Sequence, residues 1–178
     1  YGLLNLKTHE KLCLVVRKED DGIRRYAHVG TGKYNAQTAR AYTDLGLFTT
    51  HPAIVEDVSD LFNYLTGYSN RREYRELLVA PLSLRAQLTA LVEHEIAEAA
   101  AGREARIIIK INALTDVEMI RLLYRASQAG VAVDLIGRGI CGLRPGGPCV
   151  RDTITVRSIV GRFLEHSRLF WFHNGGTA

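Results

Sequence analysis

The sequence has few cysteines, and their spacing excludes two common kinds of site. Its 178 residues include three cysteines, and no C-x-x-C pair occurs among Cys13, Cys141 and Cys149. An odd number without paired spacing indicates neither a disulfide framework nor a structural zinc site. We therefore expect a protein of the reducing cytoplasm.

Long apolar runs and concentrated charge are also missing. No apolar run approaches the roughly 18 residues of a membrane span, and no signal-peptide pattern is present. The net charge is +4 and the pI about 9.1, but the basic residues are scattered rather than gathered into a stripe. This mild excess suits an anionic substrate and argues against nucleic acid as a partner.

The one methionine is Met119, so the chain has no initiating methionine. We expect it to be a piece of a longer protein. Hydrophobic residues make up 47% of the chain and charged residues 24%, enough for a real core in one large or two small domains.

In the first half, the β-branched, apolar run 11–17 predicts a strand, the Glu19–Gly22 turn ends it, and 24–29 is predicted to be the returning strand of a hairpin. A further strand is predicted over 45–50, and a helix from Pro52 to the Gly67 stop. The polar segment 68–76 is interpreted as a solvated linker between two domains, 1–75 and 76–178.

The second half has an α/β pattern. The sequence predicts a short strand over 77–80 and a long helix from Ser83 to about Ala101, with His94 and the nearby glutamates facing solvent. Two aliphatic runs, 106–111 and 131–136, enclose a helix over 115–129, with a capping box of Thr115 and Glu118. Such runs predict parallel strands of a βαβ unit. Further strands are predicted over 153–160 and 169–172, after a loop over 141–148.

Two histidines, each two residues before a cation, are the leading candidates for chemistry. In an extended segment His9 and Lys11 share one face, and the next apolar residues face the core. An imidazole beside an ammonium can act as a nucleophile or proton carrier toward a phosphate. His166 and Arg168 repeat this spacing in the second half, also just before a strand.

Two other positions suit anion binding. Arg138 follows the second strand of the βαβ unit, at the edge where open α/β sheets place ligands, and offers a planar fork of donors. The turn Gly30-Thr31-Gly32, which follows His28, can bring backbone N–H groups and a hydroxyl close to an anion.

Five longer blocks of the sequence stand out: 7–12, 26–32, 42–44, 138–141 and 159–168. They closely resemble bacterial polyphosphate kinase, in its catalytic carboxyl-terminal region. The resemblance implies an α/β fold of two phospholipase D-like units, each with a mixed sheet flanked by helices and each incomplete here. It also implies reversible transfer of the ATP γ-phosphate to polyphosphate through a phosphohistidine.

By matched position, the resemblance implies that His9 is phosphorylated and that His166 donates or accepts a proton. It assigns nucleotide binding to Tyr42, Arg138 and His166, and phosphate binding to Lys11, Arg138 and Arg168. His28, Thr31 and Asn35 are expected to support the site. Lys33 stands in the turn where the family has asparagine.

The resemblance also implies Mg²⁺ with ATP, metal ligands upstream of this chain, and a homo-oligomeric, cytoplasmic full-length enzyme, peripheral to the inner face of the membrane or free of it. We expect the chain alone to be inactive. Two alternatives remain: a phospholipase D-type phosphodiesterase or nuclease, and a non-catalytic polyanion-binding module. Val16 stands five residues past Lys11, where the diesterases carry aspartate, and argues against the first.

Overall fold

The computed structural model describes residues 7–147 and 152–177. They form a mixed α/β protein with the strands β1 Leu12–Glu19, β2 Gly22–Gly30, β3 Tyr42–Thr43, β4 Gly46–Thr49, β5 Arg106–Ile111, β6 Ala132–Gly137, β7 Ile154–Ser158, β8 Leu164–Glu165 and β9 Leu169–Phe172. The helices are α1 Ala36–Ala39, α2 Pro52–Leu65, α3 Leu84–Ala100 and α4 Val117–Ala129, with a 3₁₀ turn at Asn174–Gly176. Pro148, the predicted end of a loop, and Cys149, one of the three cysteines, lie outside the described residues.

The chain divides into two compact units. The first comprises the residues up to Arg40 together with Asp44–Arg85, and the second comprises Ala41–Thr43 and the residues from Ala86 onward. Within the described ranges, no helix is long and apolar enough to cross a membrane.

The first unit is a three-stranded antiparallel sheet packed on one helix. Its strand order is β1-β2-β4, and Leu12 of β1 pairs with Val29 of β2. The predicted hairpin is confirmed, because alternation and the turn residues agree over its whole length; Gly22, with φ +129°, lies at its turn. Buried residues of β2 and α2 form the core, namely Ala27, Val55 and Val58.

The helix α2 has the bounds that its sequence signals predict. Pro52 occupies its first turn, and the helix ends before Gly67, which has φ +82°. Proline loses nothing at a helix start, where its missing N–H has no intrahelical acceptor, and glycine accepts the left-handed conformation after a helix end at little cost.

The segment after α2 corrects two predictions. Residues 77–80 form no strand, because the N–H groups of Glu76 and Leu77 donate instead to the carboxylate of Asp57 on α2, at 2.7 and 3.0 Å. The stretch 68–76 is also not a free linker: Tyr74 is buried, and Arg75 pairs with Glu56 of α2 at 2.8 Å. This segment therefore packs onto the first unit.

The second unit contains a four-stranded sheet in the order β7-β6-β5-β9. β5, β6 and β7 are parallel, and β9 runs antiparallel to β5. The predicted parallel pair with a helix between its strands is confirmed, since β5 and β6 are nearly continuous aliphatics and α4 connects them. Ile107, Leu123 and Val133 are almost completely buried. Burial of each such side chain stabilises the folded state by about 1.5–3 kcal/mol.

One helix end and one helix face in this unit differ from expectation. The N-cap of α4 is Asp116, whose carboxylate accepts the N–H of Met119 at 2.9 Å, so the capping box at Thr115 is wrong. Gly130 ends α4 at φ 104°, as predicted. On α3, Glu95 and Glu98 are buried rather than exposed, whereas His94 does face solvent.

Glu95 is buried because backbone donors surround it. One carboxylate oxygen accepts the N–H of Arg106 at 3.0 Å, and the other accepts the N–H of Asn174 at 2.6 Å. A buried carboxylate is tolerated when hydrogen bonds replace its hydration. The residue therefore connects α3 to β5 and to the turn that follows β9.

Candidate functional site

His9 and Lys11 lie together on the extended segment before β1, in the first unit. The Lys11 ammonium is 3.2 Å from each ring nitrogen of His9 and donates to the His9 carbonyl oxygen at 2.8 Å. His9 is exposed, while Leu12 and Leu14 pack against the core. The predicted division of this stretch into a polar and an apolar face is thus confirmed.

The contact bears on the chemical role of the His9 ring nitrogens. An ammonium group has donors only, so any imidazole nitrogen that it hydrogen-bonds must offer a lone pair. A neutral imidazole with a lone pair is the form that attacks an electrophile such as phosphorus. The local geometry is therefore suited to a nucleophile beside a fixed positive charge.

His28 lies in the middle of the same sheet, on β2. Its Nδ1 is 2.7 Å from the hydroxyl of Tyr34, and its ring centroid is 4.5 Å from that of Phe48 on β4. A Cβ at Gly46 would lie 2.3 Å from the imidazole Nε2 of His28. Glycine is therefore needed at position 46 for this placement of the ring.

Thr31 and Asn35 stabilise the backbone of the following turn. The Thr31 N–H donates to the Leu45 carbonyl at 2.8 Å, and its hydroxyl accepts the Leu45 N–H at 2.9 Å. Asn35 caps α1 by accepting the N–H groups of Gln37 and Thr38. Both residues thus support the turn, and anion binding by the Thr31 hydroxyl stays a prediction.

In the second unit, the carboxyl ends of the parallel strands carry polar groups. Arg138 follows β6 directly, and Asn112 follows β5, whose last residue Ile111 pairs with Gly137. A Cβ at Gly139 would lie 2.9 Å from the Asn112 carbonyl oxygen, so the two strand ends approach each other closely. The Nε atom of Arg138 is buried and makes no hydrogen bond within the described ranges.

Arg168 lies at this same edge of the sheet. β9 begins at Leu169, which pairs with Lys110 near the end of β5, and the Nε–H of Arg168 donates to the Asn112 side-chain oxygen at 3.1 Å. The parallel strands and the antiparallel β9 therefore bring Arg138 and Arg168 to one edge. Guanidinium groups there suit phosphate oxygens, which accept paired hydrogen bonds.

Tyr42 and His166 form an aromatic stack in the second unit. Their ring centroids are 5.0 Å apart at an interplanar angle of 27°, and His166 is only 8% exposed. The short parallel pair of β3 and β8 places them together, with the His166 N–H donating to the Thr43 carbonyl at 2.9 Å. Although Tyr42 falls within the predicted domain 1–75, residues 41–43 are grouped with the second unit.

Four residues around His166 and Arg168 were missed by sequence reasoning. The Lys110 ammonium donates hydrogen bonds to the Glu165 carboxylate, at 2.8 Å, and to the Ser167 hydroxyl. The Asn112 side-chain oxygen accepts a hydrogen bond from Arg168. The available signal was a single lysine inside the aliphatic run Arg106–Ile111, with a polar residue directly after it. A charge in an otherwise buried strand requires a partner nearby.

The described ranges contain no group of three or more His, Cys, Asp or Glu residues able to hold a metal ion. Mg²⁺ prefers oxygen ligands and commonly uses carboxylates together with substrate phosphates. A Mg²⁺ site with protein ligands upstream of this chain stays a prediction.

Comparison with known families covers nearly the whole chain. Residues 1–71 match the model described as polyphosphate kinase C-terminal domain 1, and residues 77–178 match polyphosphate kinase C-terminal domain 2. The proteins named polyphosphate kinase from Synechocystis sp. and Thermosynechococcus vestitus are 55% and 57% identical over 176 residues, or 99% of this chain. The chain spans only 24% of the length of each.

A solved structure is also similar. The crystal structure of polyphosphate kinase from Porphyromonas gingivalis superimposes with a TM-score of 0.90 at 40% identity, covering 99% of this chain and 29% of that one. This match confirms the predicted α/β class with phospholipase D-like units. The chain belongs to the polyphosphate kinase family, and it matches the two carboxyl-terminal domains of that family.

Proposed function

We propose that the full-length protein containing this chain is an ATP-polyphosphate phosphotransferase that works reversibly through a phosphohistidine on His9. The observation that carries this proposal is the exposed His9 imidazole, held 3.2 Å from the Lys11 ammonium on a segment that matches the family. Membership of the polyphosphate kinase family supports ATP and polyphosphate as substrates.

In the first step, a neutral ring nitrogen of His9 attacks the γ-phosphorus of ATP. A P–N bond forms, the bond between the γ-phosphorus and the β,γ-bridging oxygen breaks, and ADP leaves with the electron pair. In the second step, a terminal oxygen of polyphosphate attacks the same phosphorus, and the imidazole leaves. The chain grows by one phosphate, and each step runs backward when ADP is in excess.

The other candidate residues take roles that fit their chemistry. Lys11, Arg138 and Arg168 bind phosphate oxygens, because phosphoryl transfer depends mainly on positioning and on cations that balance negative charge. Tyr42 stacks with the nucleotide base, and His166 moves the proton during transfer. His28 supports the sheet of the first unit, which also carries His9. Mg²⁺ enters as the MgATP substrate.

The test is the rate of polyphosphate synthesis from MgATP, and of ATP synthesis from ADP and polyphosphate, in the full-length protein. His9→Ala is expected to abolish both directions, since both pass through the same intermediate. The matched control is His94→Ala, another exposed histidine, on α3, which should retain both rates. Turnover of phosphodiesters without ATP, or synthesis unchanged in His9→Ala, would refute the proposal.

A further inference from the structure

Lys110 is the one basic residue inside the aliphatic part of β5, and its surroundings are specific. Its side chain is 15% exposed and pairs with the Glu165 carboxylate, itself 18% exposed, at 2.8 Å. The same ammonium also bonds the hydroxyl of buried Ser167. Because a partly buried charge is costly without partners, these contacts fix the position of the lysine relative to residues 165 and 167.

The two residues that Lys110 holds flank His166 on either side. His166 itself is attached elsewhere: its ring stacks on Tyr42 and its N–H donates to the Thr43 carbonyl. The backbone around His166 is therefore held by the lysine through both neighbouring side chains. One residue further on, Asn112 of the same strand end bonds Arg168.

We infer that Lys110 is a positioning residue for His166. It acts through Glu165 and Ser167, and it holds the backbone so that the imidazole lies against Tyr42. Its relevance to catalysis rests on the proposed function, in which His166 moves the proton during phosphoryl transfer. The placement of the ring is a separate, structural claim, and it is tested separately.

The catalytic test is a double-mutant cycle in the full-length protein. Lys110→Met removes the charge but retains most of the side-chain volume, and it should lower kcat by about 10- to 100-fold, the loss typical of a misplaced catalytic group. Lys110→Arg should restore part of that loss. When Lys110→Met is added to His166→Ala, kcat should fall no further, because the effects of substituting interacting residues are not additive.

Arg106→Met is the matched control, since it breaks the ion pair with Asp134 at the other end of β5. It should leave kcat within about twofold, because the Arg106 side chain is half exposed and lies away from residues 165–168. An unchanged kcat in Lys110→Met would overturn the inference. The inference would also be overturned if Lys110→Met lowered kcat as much in the His166→Ala protein as in the wild type, since that would indicate a merely structural role for Lys110.

The placement test does not depend on activity. Histidine rings labelled with ¹³C are observed by NMR, with His166 assigned by its loss in His166→Gln. The Tyr42→Leu variant gives the chemical shift of the His166 ring when no tyrosine stacks on it. In Lys110→Met, the His166 signals should move toward this reference value. Unchanged signals in folded Lys110→Met would overturn the inference even if the protein transferred no phosphate.

If Lys110→Met does not fold, Ser167→Ala provides the same test. It removes one of the two partners of the ammonium and leaves the strand core intact. The His166 signals should then move in the same direction by a smaller amount, and their failure to move would again contradict the inference. Absence of phosphoryl transfer in the wild-type protein, by contrast, would refute only the proposed function.

Discussion

At the residue scale, the surroundings of His9 depend mainly on Lys11. The ammonium contacts both ring nitrogens of His9 and the carbonyl oxygen of the same residue. It therefore holds the imidazole in place, and in the proposed reaction its positive charge acts on the phosphate oxygens. These two effects make Lys11 the residue whose removal should affect chemistry most without removing the nucleophile.

We predict that Lys11→Met lowers kcat for polyphosphate synthesis by about 10²- to 10³-fold, the usual loss for one group that stabilises transition-state charge. The rate is measured with saturating MgATP in the full-length protein. The control is Lys18→Met, which removes an exposed lysine near the other end of β1 and should keep the wild-type rate. Equal rates for the two variants would contradict a charge-stabilising role for Lys11.

At the scale of elements, each unit uses a buried carboxylate on a helix to bind backbone N–H groups that lack a strand partner. Asp57 of α2 accepts from Glu76 and Leu77, and Glu95 of α3 accepts from Arg106 and Asn174. Both carboxylates have 0% exposure. These residues attach irregular segments to the core where a helix or a sheet provides no acceptor.

We predict that Asp57→Ala destabilises the first unit by about 2–4 kcal/mol, because it removes the buried acceptor of two backbone N–H groups, at about 1–3 kcal/mol each. The measurement is urea dependence of hydrogen exchange for α2 amides. Asp60→Ala on the same helix removes a more exposed pair with Arg71 and should cost less than about 1 kcal/mol. Similar losses in both variants would contradict the role assigned to Asp57.

The Asp57 carboxylate should also make the stability of the first unit depend on pH in the acid range. Burial raises the pKa of Asp57, but hydrogen bonds from the backbone N–H groups of Glu76, Leu77 and Arg75 outweigh burial and hold that pKa below its ordinary value. The stabilisation is therefore present above the unfolded-state pKa of about 3.9 and is lost as pH falls through the lower folded-state pKa. The loss of stability below about pH 4 should be smaller in Asp57→Ala than in wild type. An identical acid profile would exclude this residue as its source.

Elements with strong local signals could be predicted from the sequence. The hairpin combines alternation with turn residues, and β5, α4 and β6 combine aliphatic runs with a helix that Gly130 ends, so local preferences and packing agree there. Glu95 was misread as solvent-facing, because an acidic residue on a helix usually faces water, and only tertiary contacts supply its donors. The cap at Asp116 differs by one residue from the prediction, within the usual uncertainty of helix ends.

The candidate site was only partly predictable for the same reason. His9 and Lys11 are neighbours on one segment, so strand geometry alone places them together. The stack of Tyr42 on His166 depends on β3 and β8, two-residue strands far apart in the sequence, and no local pattern marks such short pairs. Lys110 was missed because the identity of its partners depends on the register of β5 with β9.

At the scale of the whole molecule, the chain provides only part of what the proposed reaction needs. It spans 24% of the length of the related kinases from Synechocystis sp. and Thermosynechococcus vestitus. The described ranges hold candidate nucleophile and phosphate-binding groups but no metal-ligating cluster of three or more residues. Groups that bind MgATP and complete the site are therefore expected from other parts of the full-length protein.

We predict that the 178-residue chain folds but transfers no phosphate by itself. Polyphosphate formation from MgATP is compared for the chain and the full-length protein at equal concentration, with circular dichroism to establish that the chain is folded. Full-length activity with an inactive, folded chain is the expected result. A rate for the chain equal to that of the full-length protein would show that residues 1–178 are sufficient.

The most direct test of the central claim is to locate the phosphate on the protein. The full-length protein is incubated with γ-³²P-labelled MgATP without polyphosphate, digested under alkaline conditions and mapped by mass spectrometry. We expect an acid-labile, base-stable phosphoramidate on His9, absent from His9→Ala and retained in His94→Ala, with the label passing to polyphosphate on its addition. A phosphate on another residue, or undiminished labelling of His9→Ala, would contradict the account.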